Sequence, residues 1–291
     1  YENFWTKDRT SFKQSLLGAH IKFNLGGATH IVQILSLKNT GTCYTSGEMT
    51  ADTFIRATGV NATNIDTILS NTSSGIAFTT DWQISEWNNQ RGYPRSVAVH
   101  EQRLVFGGTP ARPNAIWFSQ LGNLYRFMSG HLEQDTTSDV SGLNYIGDGV
   151  DGPDPFDVSA ASSSSSPIKW LASGDILKVG ALSNEFIISG SDDQALSALT
   201  AQIRVQTFEG SSDVQAINYG RYTAFISNTG DRVMEYAVSP QTRRYDAKNN
   251  NQINDTIYQH LLGTDPSLTR YTDLDNYKIR QAAYSHKKKV A

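Results

Sequence analysis

The feature that most constrains this chain is a recurring unit of short apolar runs punctuated by tight polar turns. Residues 97–99 and 104–106 are apolar runs joined through His100, Glu101, Gln102 and Arg103. Residues 115–119 and 124–127 follow, separated by Gln120, Leu121, Gly122 and Asn123. Runs of this length bounded by turn formers predict strands. Residues 97–127 are therefore expected to form one four-stranded antiparallel sheet. The unit returns at 168–171, 176–179, 185–188 and 203–208, and begins again at 214–217, 222–226 and 232–236. The starts at 168 and 214 are spaced like the ~40–50-residue repeats of β-propellers.

The first interval is longer because residues 131–167 are rich in Asp, Gly and Ser and read as an inserted polar loop. With 38% hydrophobic and 18% charged residues, the chain is neither a disordered polymer nor a charge-rich coiled coil. Its 291 residues suffice for one large domain or two smaller ones. The expected fold is all-β: propeller blades preceded by a small β-barrel or sandwich. Residues 1–80 form the small domain, with strands at 19–24, 30–34 and 41–45 and a helix-compatible stretch at 51–56 and 64–69. Residues 81–250 carry the blades with the insertion 131–167. Residues 251–291 are expected to start a further blade that stops within a strand at 279–284. Three units do not close a ring of 4–8 blades, so the remainder is expected from sequence outside this chain or from other chains. The opening residues Tyr1, Glu2, Asn3, Phe4 and Trp5 also read as those of a piece of a longer chain.

The net charge of −3 does not fit a protein that grips nucleic acid by neutralising phosphates. The one dense basic run, His286, Lys287, Lys288 and Lys289, reads as a solvated tail. Cys43 is the only cysteine, which excludes internal disulfides and a Cys-based zinc site; in a strand it reads as a small core residue. No apolar run approaches the ~18 residues of a membrane span. Asp148, Asp151, Asp154 and Asp157 fall at every third position, whereas a calcium loop needs oxygens at alternate positions, where Val150 stands. They read as turn formers. The sequons at Asn61, Asn71 and Asn254 read as chance matches in an Asn/Thr-rich chain. His20, His30, His100, His131, His260 and His286 show no metal-ligand spacing, and no nucleophile elbow, phosphate loop or dinucleotide fingerprint occurs. No enzyme activity, metal or cofactor is expected.

A more specific pattern spans residues 87–127. Trp87 is followed by Arg91, Gly92, Tyr93, Pro94 and Val97. The turn with Gln102, Arg103 and Leu104 leads to Phe106, Gly107, Gly108 and Thr109. Pro113, Ile116, Trp117, Ser119, Gly122 and Phe127 complete the set. This block resembles the central signature of the tail nozzle proteins of short-tailed bacteriophages, also called tail tubular protein B or tail hub proteins. Residues 170–236 fit the same layout more loosely, and residues 17–44 are similar to the small β domain that precedes it.

The resemblance implies a structural virion protein: a propeller, in a ring of six identical chains at the tail, attached below the portal and adaptor. Tail fibres or spikes are possible neighbours, and phage DNA passes through without tight binding, which suits a mildly acidic protein. Two other readings remain open at this point. One is a receptor- or glycan-binding propeller using exposed aromatics such as Trp117 or Tyr125. The other is a glycoside-cleaving propeller, for which no carboxylate pair stands out.

Overall fold

The computed structural model describes residues 5–6, 19–25, 28–37, 53–56, 82–127, 131–134, 143–146, 152–160, 166–191, 194–239, 245–264 and 279–282. These residues are predominantly β and form several antiparallel sheets. Cys43, Asp148, Asp151, Asn61, Asn71, the expected strand at 41–45 and the basic run at 286–289 lie outside them.

Strands β1 (Trp5–Thr6), β2 (His20–Leu25), β3 (Ala28–Leu37), β4 (Thr53–Arg56) and β5 (Trp82–Ser85) make one five-stranded sheet in the order β1-β5-β2-β3-β4. Among the described residues this sheet is open and does not close into a barrel. Residues 53–56 are a strand and not the expected helix, since Thr53, Phe54 and Ile55 are β-branched or aromatic and pair with the end of β3.

The next sheet contains β6 (Ser96–His100), β7 (Arg103–Gly107), β8 (Ala115–Phe118) and β11 (Phe156–Ser159), in the order β11-β8-β7-β6. Its fourth strand is thus not residues 124–127, as the sequence pattern predicts. That segment is a compact turn: Gln120 N–H donates to Arg126 O (2.8 Å), Arg126 N–H donates to Asn123 O (3.3 Å), and Gly122 adopts φ +72°. The fourth strand comes instead from within residues 131–167. That insertion is therefore not all loop, for it also holds the hairpin of β9 (His131–Gln134) and β10 (Leu143–Ile146). Phe156 and Val158 supply the alternation that lets β11 pair with β8, Phe156 stacking on Phe118 at 4.5 Å.

The second unit appears where expected, as β12 (Ile168–Ala172), β13 (Leu177–Ala181), β14 (Glu185–Gly190) and β15 (Ala201–Thr207) in sequential order. The third comprises β16 (Ile217–Tyr219), β17 (Tyr222–Ile226), β18 (Val233–Val238) and β19 (Tyr245–Asn249), again in sequential order.

The second of these four-stranded sheets is buried on both faces. Leu177, Val179, Ala181, Phe186 and Ile188 pack against Val105, Ile116, Phe118 and Phe156 of the first. Trp170 and Ala172 pack against Phe225, Met234 and Tyr236 of the third. Each fully buried aliphatic or aromatic side chain contributes about 1.5–3 kcal/mol, so these two joints hold the stack together. Among the described residues the sheets do not close on themselves.

Helix α1 (Asn251–Thr264) follows, where the start of further strands is expected. Asn250 caps it, its Oδ1 accepting the Ile253 N–H at 2.9 Å. Asn254 is buried against β18, accepting from Val233 N–H (2.8 Å) and donating to Val233 O (3.1 Å). Its sequon amide is thus committed to the core. Residues 279–282 are not a strand; Ile279 N–H donates to Gly230 O at 2.7 Å.

Candidate functional site

The aromatic residues of the 87–127 pattern converge on one cluster on the side of the first four-stranded sheet away from the second. Trp87 enters from the segment before β6. Its ring meets Phe106 at 5.1 Å, Trp117 at 5.7 Å and Phe127 at 4.9 Å, all edge-on. Such pairs add about 0.5–1.5 kcal/mol each beyond the area they bury. Trp117 is only 2% exposed, so it cannot be the ligand-stacking ring that a glycan-binding reading requires; Tyr125 stands 92% exposed. Arg112 lies 5.5 Å over Trp117 and pairs with Asp157 at 2.5 Å. Burial nevertheless raises the Asp157 carboxyl, the Arg112 charge opposing it.

The glycines act through the backbone. Gly92 (φ +85°) donates to Asn88 O at 2.7 Å, and a Cβ there would strike Pro110. Gly107 faces the second sheet, where a Cβ would lie 2.6 Å from Ser96 Oγ and 3.0 Å from Ile168. Gly108 (φ +62°) turns the chain out of β7, its N–H bonded to Ala115 O at 2.9 Å. Tyr93 is exposed and its hydroxyl donates to Asn89; Pro94 delivers Arg95, whose N–H bonds Gly107 O and Gly108 O. Glu101 and Gln102 both adopt positive φ (44° and 60°), the two-residue type I′ turn that matches strand twist. Gln102 O in turn accepts from Gly122 N–H at 3.1 Å, and Leu104 exchanges bonds with Ser119.

Arg103 is the least expected member. It is fully buried, and its guanidinium donates to Ser119 O (2.6 Å), Gly152 O (2.7 Å), Asp154 O (2.8 Å) and Pro153 O (3.3 Å). Burial lowers its affinity for the proton, with Asp154 and Glu101 opposing. Three of those carbonyls belong to the segment whose aspartates invite a calcium reading. They are already gathered around an internal cation, and Asp157 is committed to Arg112. Among the described residues no three His, Cys, Asp or Glu side chains come together as a metal site would need.

A second polar line ties the three sheets at one end. His100 Nδ1 lies 3.0 Å from Ser173 Oγ in the β12–β13 turn. Asn218 Nδ2 donates to Ser173 O (2.5 Å) and its Oδ1 accepts from Thr223 (2.7 Å), which accepts from Lys178 Nζ (2.8 Å). Burial lowers both His100 and Lys178. The order Ser173, His100, Glu101 resembles a nucleophile, base and acid. Glu101 Oε1, however, stands 3.7 Å from His100 Nε2, outside hydrogen-bond range, while its Oε2 is bonded to Leu196 N–H at 2.8 Å. The carboxylate does not fix the imidazole tautomer, which is what a catalytic base requires of it. The line fastens sheets together.

No helix among the described residues is long and apolar enough to cross a membrane. Searches of protein families and of curated proteins find no match to this chain.

Proposed function

We propose that this chain is a structural protein of the tail of a short-tailed bacteriophage, a propeller-containing nozzle or hub subunit that assembles into a ring through which DNA passes. The observation that carries the reading is the stack of three successive four-stranded antiparallel sheets, each packed face to face on the next. Propeller blades are likewise four-stranded sheets arranged in succession, which supports the reading. It is supported by the 87–127 pattern, whose aromatics cluster on the first sheet of the stack and whose glycines and Arg103 fix the backbone around it. The described site residues serve packing and backbone geometry, as a load-transmitting conduit wall requires. Six copies, docked on an adaptor below the portal, follow from the resemblance.

Native mass measurement of the full chain with and without candidate adaptor proteins, followed by imaging of the particle, tests the proposal. A closed ring at the tail is the expected result. A stable monomer with affinity for surface glycans would replace it with the receptor-binding reading.

A further inference from the structure

The first of the four-stranded sheets has an open edge. β6 stands last in the order β11-β8-β7-β6 and pairs with β7 alone. The hairpin fixes which of its main-chain groups are used. His100 and Arg103 flank the two-residue turn and form a hydrogen-bonded pair, so the next bonded pair is Ala98 with Val105. The residues between them face the other way. Leu104 O accepts from Ser119 N–H at 2.9 Å, which puts the main-chain groups of Leu104 on the β8 side. Val99, opposite Leu104, and Val97, opposite Phe106, therefore direct their N–H and C=O groups away from β7. No hydrogen bond reaches those groups among the described residues.

Strand edges of this kind are blunted in most proteins by a lysine, a proline, a bulge or a covering segment. β12, at the corresponding edge of the second sheet, is covered. Leu171 O accepts from the Gln215 side-chain amide (2.8 Å), and Ser173 O in the turn beyond it accepts from that of Asn218 (2.5 Å). β6 has none of these devices. Its register with β7 runs without a shift, it contains neither proline nor lysine, and Val97 and Val99 are exposed.

An extended polypeptide presents donors and acceptors at the spacing these main-chain groups require. The side chains narrow its chemistry. Residues of an added strand opposite Val97 and Val99 lie beside exposed valines, which favours apolar, β-branched partners. The residue opposite Ala98 falls on the side turned to the second sheet, where Ser96 and His100 are buried, which favours a small one. Arg95, exposed, precedes the strand, and the partly exposed Glu101 follows it. For an antiparallel strand these charges favour a base at its start and an acid at its end.

We propose that the open edge of β6 is a docking site for an extended segment of a partner protein. The segment joins the first sheet as a further antiparallel strand, with apolar residues at alternate positions between a basic and an acidic end. Its main-chain groups exchange hydrogen bonds with those of Val97 and Val99. The inference needs only the first sheet and does not rest on the tail assignment.

The test uses the full chain and a capped heptapeptide, lysine-threonine-valine-threonine-valine-threonine-aspartate, followed by NMR. At saturation the peptide should slow exchange of the Val97 and Val99 amides by about tenfold or more. The Hα of its central threonine should lie against that of Ala98, the mark of the antiparallel register. N-methylation of both peptide valines keeps their side chains but removes the donors, and should weaken binding about tenfold or more. Exchanging the two end charges should weaken it by a smaller factor. Val97→Pro removes an N–H that the sheet itself does not use, so this variant should fold and bind about tenfold more weakly. Absence of binding at about millimolar peptide overturns the proposal. So does equal affinity for the N-methylated or the charge-exchanged peptide, whether or not the variant folds. Val97 and Val99 amides already slow to exchange in the free chain also overturn it, since a second copy or another part of the chain then holds the edge.

Discussion

The indole of Trp170 lies across Gly180, its cross-strand partner, so closely that a Cβ at position 180 would fall 2.5 Å from the indole Cζ2. Trp170 is fully buried in the joint with the third sheet, within 5.5 Å of Phe225. The missing side chain is therefore what allows the largest ring in that joint to lie flat on its own sheet. Gly180→Ala should push the indole towards Phe225 and cost about 1–3 kcal/mol through overpacking. Urea unfolding measures it; a loss below about 0.5 kcal/mol would mean the joint is looser than the geometry states.

Arg103 gives the second expectation. Removing it leaves the carbonyls of Ser119, Gly152, Pro153 and Asp154 without the donor that holds them. Arg103→Met should destabilise the protein by about 3 kcal/mol or more, since each buried acceptor left unpaired costs about 1–3 kcal/mol. Proteolytic cleavage near residues 152–154 should speed up in parallel. Arg103→Lys should rescue only part of the loss, because an ammonium cannot span acceptors arranged for a planar fork.

How much of this was legible in advance depends on where each signal resides. The second sheet is readable because Trp170, Leu177, Val179, Phe186 and Ile188 sit in runs separated by turn residues, and the chain returns without interruption. The first sheet is readable only in part. Its last strand is displaced beyond an insertion, and the nearer apolar segment at 124–127 imitates it. Phe127 is apolar because it fills a cluster with Trp87 and Phe106, not because it lies in a ladder. Helix α1 carries Ile253, Ile257 and Leu261 at helical spacing after the Asn250 cap, a signal masked by the expectation of further strands. The buried polar groups leave no sequence signal at all. Arg103 and Glu185 look like ordinary turn and strand-end charges, and only the three-dimensional path of their acceptors and donors makes them interior.

Acid should weaken the joint between the first and second sheets. His100 is buried, and desolvation lowers it below its ordinary value, Glu101 opposing. A base lowered in the fold binds its proton less tightly there than when unfolded. Its contribution is thus present above the unfolded value of about 6.5 and is lost as pH falls through the folded one. Burial shifts His20 in the same direction. The share of stability due to His100 should therefore decline from pH 7.5 to 5, the raised carboxyls of Glu86, Asp157 and Glu185 sloping the other way, and the difference between wild type and His100→Gln isolates that share. A slope unchanged by the substitution would show that His100 does not carry it.

The ring proposal makes one further demand, on β6. Ser96 and His100 are buried on the side facing the second sheet, whereas Val97 and Val99 point the other way and remain 53% and 54% exposed. Val97 and Val99 give this open side of β6 the apolar composition of a face that a further surface covers. In a ring built by one repeated heterologous contact, a neighbouring copy is the covering surface. Replacing both valines with lysine should leave the isolated chain nearly as stable, with a loss under about 1 kcal/mol, because neither side chain belongs to an internal joint. The same change should break the ring, since two desolvated ammonium groups at an interface are costly. Native mass spectrometry of wild type and variant separates the outcomes. A ring that survives the double substitution would move the interface elsewhere on the molecule, and a wild-type chain that stays monomeric alongside its adaptor would remove the ring itself.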